Sequence, residues 1–115
     1  MSFQVNKKDG YTLISVSADK LDSNIAPSLK SELVLINSDG VKNIIIDLSA
    51  ARYCDSSGLS AILVANRLCK NSQGTFVLTG LQDAVKKLIA ISQLDTILNI
   101  ASNVEEGADM VSNQK

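Results

Sequence analysis

Short apolar segments alternate along this chain with longer segments of helical periodicity. The chain opens with two apolar-rich segments, residues 3–8 and 11–17, which Asp9-Gly10 connects. An Asp-Gly pair readily adopts the positive φ angles of a tight hairpin turn. We therefore expect an antiparallel hairpin at the start of the chain.

The next segment has the period of an amphipathic helix. Pro27 is tolerated in the first turn of such a helix, and Asp22 or Ser23 is available as its N-cap. Asp39-Gly40 then ends the pattern. The apolar positions recur at steps of four, four and three residues, and they are Ile25, Leu29, Leu33 and Ile36.

Two further strands and a buried helix are predicted in the middle of the chain. The β-branched run Ile44-Ile45-Ile46 is typical of a strand covered on both faces. From Ser56 to about Lys70 the residues are good helix formers. Few residues in the first half of that segment are polar, so this second helix should be substantially buried. Residues 75–79 indicate another strand.

The last third of the chain predicts two helices around a short strand, residues 96–100. Lys86 and Lys87 should lie on the solvent side of the first of these helices. The last helix is weak, and the tail from about residue 112 should fray. The apolar positions that carry the two helices are Leu81, Val85, Leu88 and Ile89, and then Val104, Ala108 and Val111.

Strands that alternate with helices after an initial hairpin predict an α/β fold. We expect a mixed, mostly parallel sheet of about five strands with an N-terminal hairpin and about four helices. The chain has 115 residues, and no repeat, low-complexity tract or linker interrupts it. A single domain over residues 1–115 follows.

Composition and charge exclude several classes of partner. Eleven Lys and Arg against twelve Asp and Glu give a net charge of −1, aromatic residues make up 3%, and Trp is absent. Direct nucleic-acid binding is therefore not expected. No stretch approaches the roughly 20 apolar residues of a membrane span, and residues 1–8 lack a secretion signal. We expect a cytoplasmic protein, and two free thiols suit a reducing compartment.

The sequence offers little for catalysis. It contains no His, so a Ser–His or Cys–His relay is impossible, and it has no glycine-rich phosphate loop. Cys54 and Cys69 lack the spacing of metal ligands, and Cys54 is more typical of a small buried residue. Asp47 could be a phospho-accepting aspartate, but the acidic pair that usually follows the first strand is missing. We expect no enzyme, no metal and no cofactor.

The most informative stretch is residues 55–59, Asp-Ser-Ser-Gly-Leu, at the start of the second helix. A helix N-terminus presents unpaired N–H groups and a positive dipole end, which suit carboxylates and phosphates. A hydroxyl at this place would be exposed to a kinase. The alternative is an ordinary N-cap, although Ser60 rather than Glu lies three residues after Ser57, so a capping box is missing.

Five short motifs occur in order along the chain: Leu21-Asp22, Ile45-Ile46-Asp47-Leu48-Ser49, Asp55-Ser56-Ser57-Gly58-Leu59, Leu78-Thr79-Gly80-Leu81 and Leu94-Asp95. This order resembles the anti-sigma factor antagonist branch of the STAS domain family over nearly the whole chain. The resemblance implies a STAS-like fold. The third motif is the specific one, and the other motifs mainly support the fold.

The resemblance also implies a function. Ser57 would accept phosphate from an anti-sigma factor that is also a serine kinase, and a serine phosphatase would remove it. The unphosphorylated protein would bind the kinase and free a sigma factor for transcription, whereas the phosphorylated protein would release the kinase. The residues that the resemblance assigns to partner binding are Asp22, Asp55, Ser56, Ser57, Gly58 and Leu59.

A second interpretation stays open beside this one. The chain could be a STAS subunit that docks constitutively onto a transporter or a larger signalling assembly, with Ser57 serving only as a helix cap. Nothing in the sequence fixes an oligomeric state.

Overall fold

A computed structural model describes residues 2–113 of the chain. In chain order its strands are β1 (Phe3–Lys7), β2 (Thr12–Val16), β3 (Lys20–Leu21), β4 (Ile44–Asp47), β5 (Tyr53–Cys54), β6 (Phe76–Thr79) and β7 (Asn99–Ala101). Its helices are α1 (Ala26–Ser38), α2 (Ser56–Asn71), α3 (Asp83–Ile91) and α4 (Val104–Asn113), and a 3₁₀ turn, Leu94–Thr96, precedes β7.

Five of the strands form one sheet in the order β1-β2-β4-β6-β7. The β1–β2 pair is antiparallel, and the three other neighbouring pairs are parallel. The two remaining strands, β3 and β5, form a separate parallel pair. The predicted mixed, mostly parallel sheet with four helices is confirmed.

The opening hairpin is also confirmed. Phe3 in β1 pairs with Val16 in β2, and Lys7 pairs with Thr12, so the two strands keep one register along their length. Gly10 in the connecting turn has φ +90°, a value that L side chains rarely adopt. The Asp-Gly pair therefore makes the turn that its composition predicts.

The core lies on both faces of the central strands. Ile44, Ile45 and Ile46 are all fully buried. Because successive side chains of a strand point to opposite faces, Ile44 and Ile46 pack with α1, α2 and α3, whereas Ile45 packs with α4. This is the doubly covered strand that the β-branched run predicts.

Helix α1 confirms its predicted periodicity but not its predicted cap. Leu29, Leu33 and Ile36 are buried, and Pro27 stands in the first turn. The prediction of Asp22 or Ser23 as the N-cap is wrong, because Ile25 occupies that position and no side chain caps the helix. The Asp22 carbonyl instead accepts hydrogen bonds from the N–H groups of residues 25 and 26, which adds a turn before the helix.

The final strand begins later than its sequence predicts. Residues 94–96 form a 3₁₀ turn after Gln93, which has φ +60°. The strand then runs from Asn99 to Ala101, and the Asn99 side-chain amide donates to the Phe76 carbonyl at 3.0 Å. The expected start at Thr96 is therefore wrong, because that residue belongs to the turn.

The last two helices agree with the pattern of the sequence. In α3, Val85 and Ile89 are buried, and Lys86 and Lys87 are exposed. Helix α4 runs to Asn113, so the expectation of a frayed tail from about residue 112 is wrong for residues 112 and 113, and residues 114 and 115 lie outside the described residues. None of the helices within residues 2–113 combines the length and apolarity that a membrane crossing requires.

Candidate functional site

The β3–β5 pair brings two aspartates to one end of a short ladder. Leu21 in β3 is the register partner of Cys54 in β5, and the Asp55 N–H donates to the Leu21 carbonyl at 3.3 Å. The two strands are parallel, so the residues that follow them emerge at the same end. Asp22 and Asp55 therefore both flank the first turn of α2.

Asp55 is the N-cap of α2. Its backbone is extended, with φ −107° and ψ −172°, and its Oδ1 accepts a hydrogen bond from the Gly58 N–H at 3.0 Å. The ordinary capping interpretation is thus correct for Asp55. Ser56 and Ser57 follow as the first two helical residues, and neither of them is the cap.

The two serines differ in exposure. Ser56 is exposed, whereas Ser57, expected to be exposed, is half-buried. Within residues 2–113 neither hydroxyl forms a hydrogen bond, and the backbone N–H groups of both residues also lack an acceptor. These groups form the positive end of α2, so the entrance has donors available for an anion.

Gly58 contributes to the site through close packing. It is buried, and a Cβ at this position would overlap the Leu21 carbonyl oxygen and lie 2.6 Å from Cys54 Sγ. Only glycine therefore lets the first turn of α2 lie directly against β3. Leu59 is half-buried and packs against the main core.

The two cysteines are buried and free. Burial, and then the negative charge of Asp55, raises the pKa of the Cys54 thiol to about 12. Burial likewise raises the pKa of Cys69 to about 12, although a hydrogen bond with the Ile44 backbone acts in the opposite direction. A thiol that stays protonated at neutral pH is a poor nucleophile. The prediction of a small buried residue is confirmed for Cys54.

Asp47 has a local structural role at the end of β4. Its Oδ1 accepts the Ser49 N–H at 3.0 Å, which closes the turn after the strand. This geometry fits the capped loop that the sequence offered as the alternative to a phospho-accepting aspartate. Among residues 2–113, no group of three or more His, Cys, Asp or Glu side chains comes together to hold a metal ion.

Sequence reasoning missed an exposed ion pair beside the β3–β5 ladder. Arg52 Nε lies 2.9 Å from Asp19 Oδ1, and the Arg52 N–H donates to the Asp19 carbonyl at 2.7 Å. A signal was present, because Asp19 precedes Leu21 by the same two positions as Arg52 precedes Cys54. Opposite charges at matching offsets are compatible with parallel register, but two such residues are a weak signal.

Comparisons with known proteins agree on one family. The model of the STAS domain matches residues 2–107. The anti-sigma-B factor antagonist of Listeria monocytogenes is 30% identical to this chain over 105 residues, which is 91% of each chain.

Solved structures have the same fold. The Bacillus cell fate determinant SpoIIAA in its phosphorylated form aligns with a TM-score of 0.74 at 22% identity, over 95% of this chain and 98% of that one. A sulfate transporter family protein of Wolinella succinogenes aligns with a TM-score of 0.80 at 14% identity, over 93% of this chain and 88% of that one. This fold therefore occurs in proteins of more than one kind.

Proposed function

The chain belongs to the STAS domain family, and from this we propose that it is an anti-sigma factor antagonist switched by phosphorylation of Ser57. In this role it is a regulatory rather than a catalytic protein of the bacterial cytoplasm. Unphosphorylated, it binds an anti-sigma factor serine kinase and frees a sigma factor. Phosphorylated, it releases the kinase until a serine phosphatase restores the hydroxyl. The relative from Listeria, an anti-sigma-B factor antagonist, supports this assignment.

One observation carries the proposal: Asp55 already caps α2, which leaves the Ser57 hydroxyl without a structural task. The cap bond runs from the Gly58 N–H to Asp55 Oδ1 at 3.0 Å. Ser57 is only half-buried, and in the described part of the chain its hydroxyl makes no hydrogen bond. A kinase could therefore reach this oxygen without breaking an interaction of the fold.

The transfer is a simple phosphoryl exchange. The Ser57 oxygen attacks the γ-phosphorus of ATP, the bond from that phosphorus to the β-phosphate bridging oxygen breaks, and ADP leaves. The serine proton passes to a base of the kinase. Hydrolysis by the phosphatase returns Ser57 and inorganic phosphate.

The charge of the phosphate should act on the partner more than on the fold. It adds about −1.5 to −2 charges at neutral pH, at a helix end whose dipole favours them. Asp22 and Asp55 already place negative charge beside the entrance. A kinase surface that fits this entrance closely would have to accept three more oxygens and a like charge, so binding should be lost.

Binding measurements with the purified cognate kinase test this proposal. We expect wild type and Ser57→Ala to bind comparably, and Ser57→Glu to bind at least about tenfold more weakly, which is 1.4 kcal/mol. Ser31→Glu is the matched control, because it adds the same charge at an exposed position of α1. Thermal midpoints of wild type and Ser57→Glu should be similar. Undiminished binding by Ser57→Glu, or its unfolding, would contradict an interface switch.

The second candidate is a STAS subunit that docks constitutively onto a transporter or a larger signalling assembly. The likeness to the sulfate transporter family protein favours it at the level of fold. In this case Ser57 was expected to serve as the helix cap, a role that Asp55 fills. Co-purification from the native cells separates the two candidates: a membrane transport protein favours docking, and a soluble ATPase related to histidine kinases favours the switch.

A further inference from the structure

The outer edge of the sheet is open at β1. Among residues 2–113 this strand pairs only with β2. The Ser17 N–H donates to the Ser2 carbonyl at 2.8 Å, and the Lys8 N–H donates to the Tyr11 carbonyl at 2.9 Å. Backbone groups alternate in direction along an antiparallel strand, so the even-numbered residues of β1 direct theirs at β2. The odd-numbered residues 3, 5 and 7 direct theirs away from the sheet.

This edge lacks most of the features that usually prevent strand addition. The strand reads Phe-Gln-Val-Asn-Lys and contains no proline, and its register with β2 is continuous, without a bulge. Such an edge is a template for another strand. Lys7 at the end of β1 is the one charged side chain of the strand.

An uncovered groove runs beside the edge, between β1 and α1. Phe3, Gln4, Val5, Asn6 and Glu32 line it. Val5 has the same orientation as the buried Phe3, two residues away, yet it is 37% exposed. On α1, Glu32 and Leu35 share one side of the helix, and Leu35 is 56% exposed. A strand added at the edge would cover Val5 and shield this side of α1.

We propose that the occupant of this edge is a second copy of the chain, whose β1 pairs antiparallel with the first about a two-fold axis at Val5. In this register Val5 faces Val5 of the second copy, and Phe3 faces Lys7 of the second copy. Every hydrogen-bonded pair joins odd-numbered residues, so all three outward-facing residues of each strand form hydrogen bonds. The interface is self-complementary, as two-fold symmetry requires.

Charge complementarity favours a second copy over an unrelated strand. Lys7 of the second copy lies beside Phe3, which shares the groove with Glu32. Within residues 2–113 the one ion pair joins Arg52 and Asp19, so neither Lys7 nor Glu32 has an ionic partner in that part of its own chain. Because of the two-fold symmetry, Lys7 of each copy pairs with Glu32 of the other copy, so this ion pair forms twice. On the opposite face Gln4 meets Asn6, and no like charges oppose each other.

The dimer is independent of the proposed switch. Its four central residues, Phe3, Val5, Lys7 and Glu32, are all outside the α2 entrance. Loss of kinase binding and loss of self-association can therefore be produced by different substitutions, and the failure of one proposal would leave the other standing.

Sedimentation velocity of the full chain over a dilution series tests the dimer. Wild type should show a reversible monomer–dimer equilibrium, and Val5→Lys should be monomeric, because two ammonium groups would meet at the axis. Lys7→Glu and Glu32→Lys should each weaken association about tenfold, since two attractive pairs become repulsive. The double variant should restore it. Lys8→Glu is the control, because residue 8 points to the opposite face and should leave association unchanged.

Hydrogen exchange supplies a second readout that depends on the register. At dimerising concentrations the amides of Val5 and Lys7 should exchange more slowly, whereas those of Gln4 and Asn6, already bonded to β2, should not change. A monomer at every concentration would overturn the proposal. So would a dimer that ignores both charge reversals, or one whose formation leaves the odd-numbered amides unprotected. The charge variants alter an exposed side chain, Lys7, and a half-buried one, Glu32, and neither belongs to the core, so they carry the test even if Val5→Lys fails to fold.

Discussion

The segments that lead into α1 and α2 are similar in their elements, a short strand and then an aspartate, but they form different local structures. Each follows a strand of the β3–β5 ladder, and each has an aspartate directly after that strand. At α2, Asp55 caps the helix through the Gly58 N–H, and two serines follow. At α1, Asp22 holds an extra turn, and the helix begins at Ala26 without a side-chain cap.

The residue three positions after each aspartate explains much of the difference. Gly58 lets the start of α2 approach β3, which places its N–H within reach of the Asp55 carboxylate. Ile25 occupies the corresponding position before α1, and its buried side chain packs in the core instead. Capping by an aspartate therefore depends on how closely the following turn can approach. Of the two entrances, only that of α2 combines a complete cap with spare hydroxyls.

The largest expected effect breaks the close approach at α2. Gly58→Ala should lower the free energy of unfolding by about 2–3 kcal/mol, because the new Cβ overlaps backbone at Leu21. Gly107→Ala in α4 is the control. The three atoms nearest its Cβ would be side-chain atoms of Thr79, Ile45 and Val77 at 3.1–3.3 Å, so its effect should stay within about 1 kcal/mol. Urea denaturation measures both, and equal losses would remove the special role of Gly58.

A smaller effect separates the two aspartates. Asp55→Ala should cost about 1 kcal/mol of stability, because the helix loses its cap. Asp22→Ala should cost less than about 0.5 kcal/mol, because within residues 2–113 its carboxylate accepts only the exposed Asn24 N–H. Asp55→Ser retains a capping oxygen and should recover most of the loss. Equal costs for the two alanine variants in thermal unfolding would contradict the difference between the entrances.

The entrance of α2 lies beside a buried thiol, Cys54, and the entrance of α1 does not. The loss of stability at alkaline pH should reveal this thiol. The pKa of Cys54 rises from 9.0 to about 12 in the folded chain. Between these values the unfolded chain releases the proton and the folded chain retains it, so stability present below pH 9.0 falls as pH rises toward about 12. Chemical denaturation across this range should show a smaller loss for Cys54→Ala than for wild type. Parallel curves would show that this thiol does not titrate differently in the folded chain.

Much of the fold follows from the sequence because its signals are local. Ile44-Ile45-Ile46 predicts the doubly covered strand, and Asp9-Gly10 predicts the hairpin turn. The β3–β5 ladder could not be predicted, because two-residue strands are too short to show a period and their pairing depends on residues 33 positions apart, such as Asp19 and Arg52. The prediction of the α1 N-cap was wrong for the same reason, because burial of Ile25 depends on the assembled core.

The sequence predicts which residues form the candidate site but not the separate role of each residue. The sequence indicates an anion-accepting helix start at residues 55–59. Only the structure separates Asp55, which caps, from Gly58, which packs against Leu21. It also ranks the two serines by exposure, with Ser56 the more exposed. Exposure alone therefore does not decide which of the two adjacent hydroxyls accepts the phosphate.

The most direct test is to map phosphate after incubation of the protein with its cognate kinase and ATP. Mass spectrometry of wild type, Ser56→Ala and Ser57→Ala would locate the modified oxygen. We predict one phosphate on Ser57, full modification of Ser56→Ala, and none on Ser57→Ala although that variant still binds the kinase. Phosphate on Ser56, or continued phosphorylation of Ser57→Ala, would contradict it.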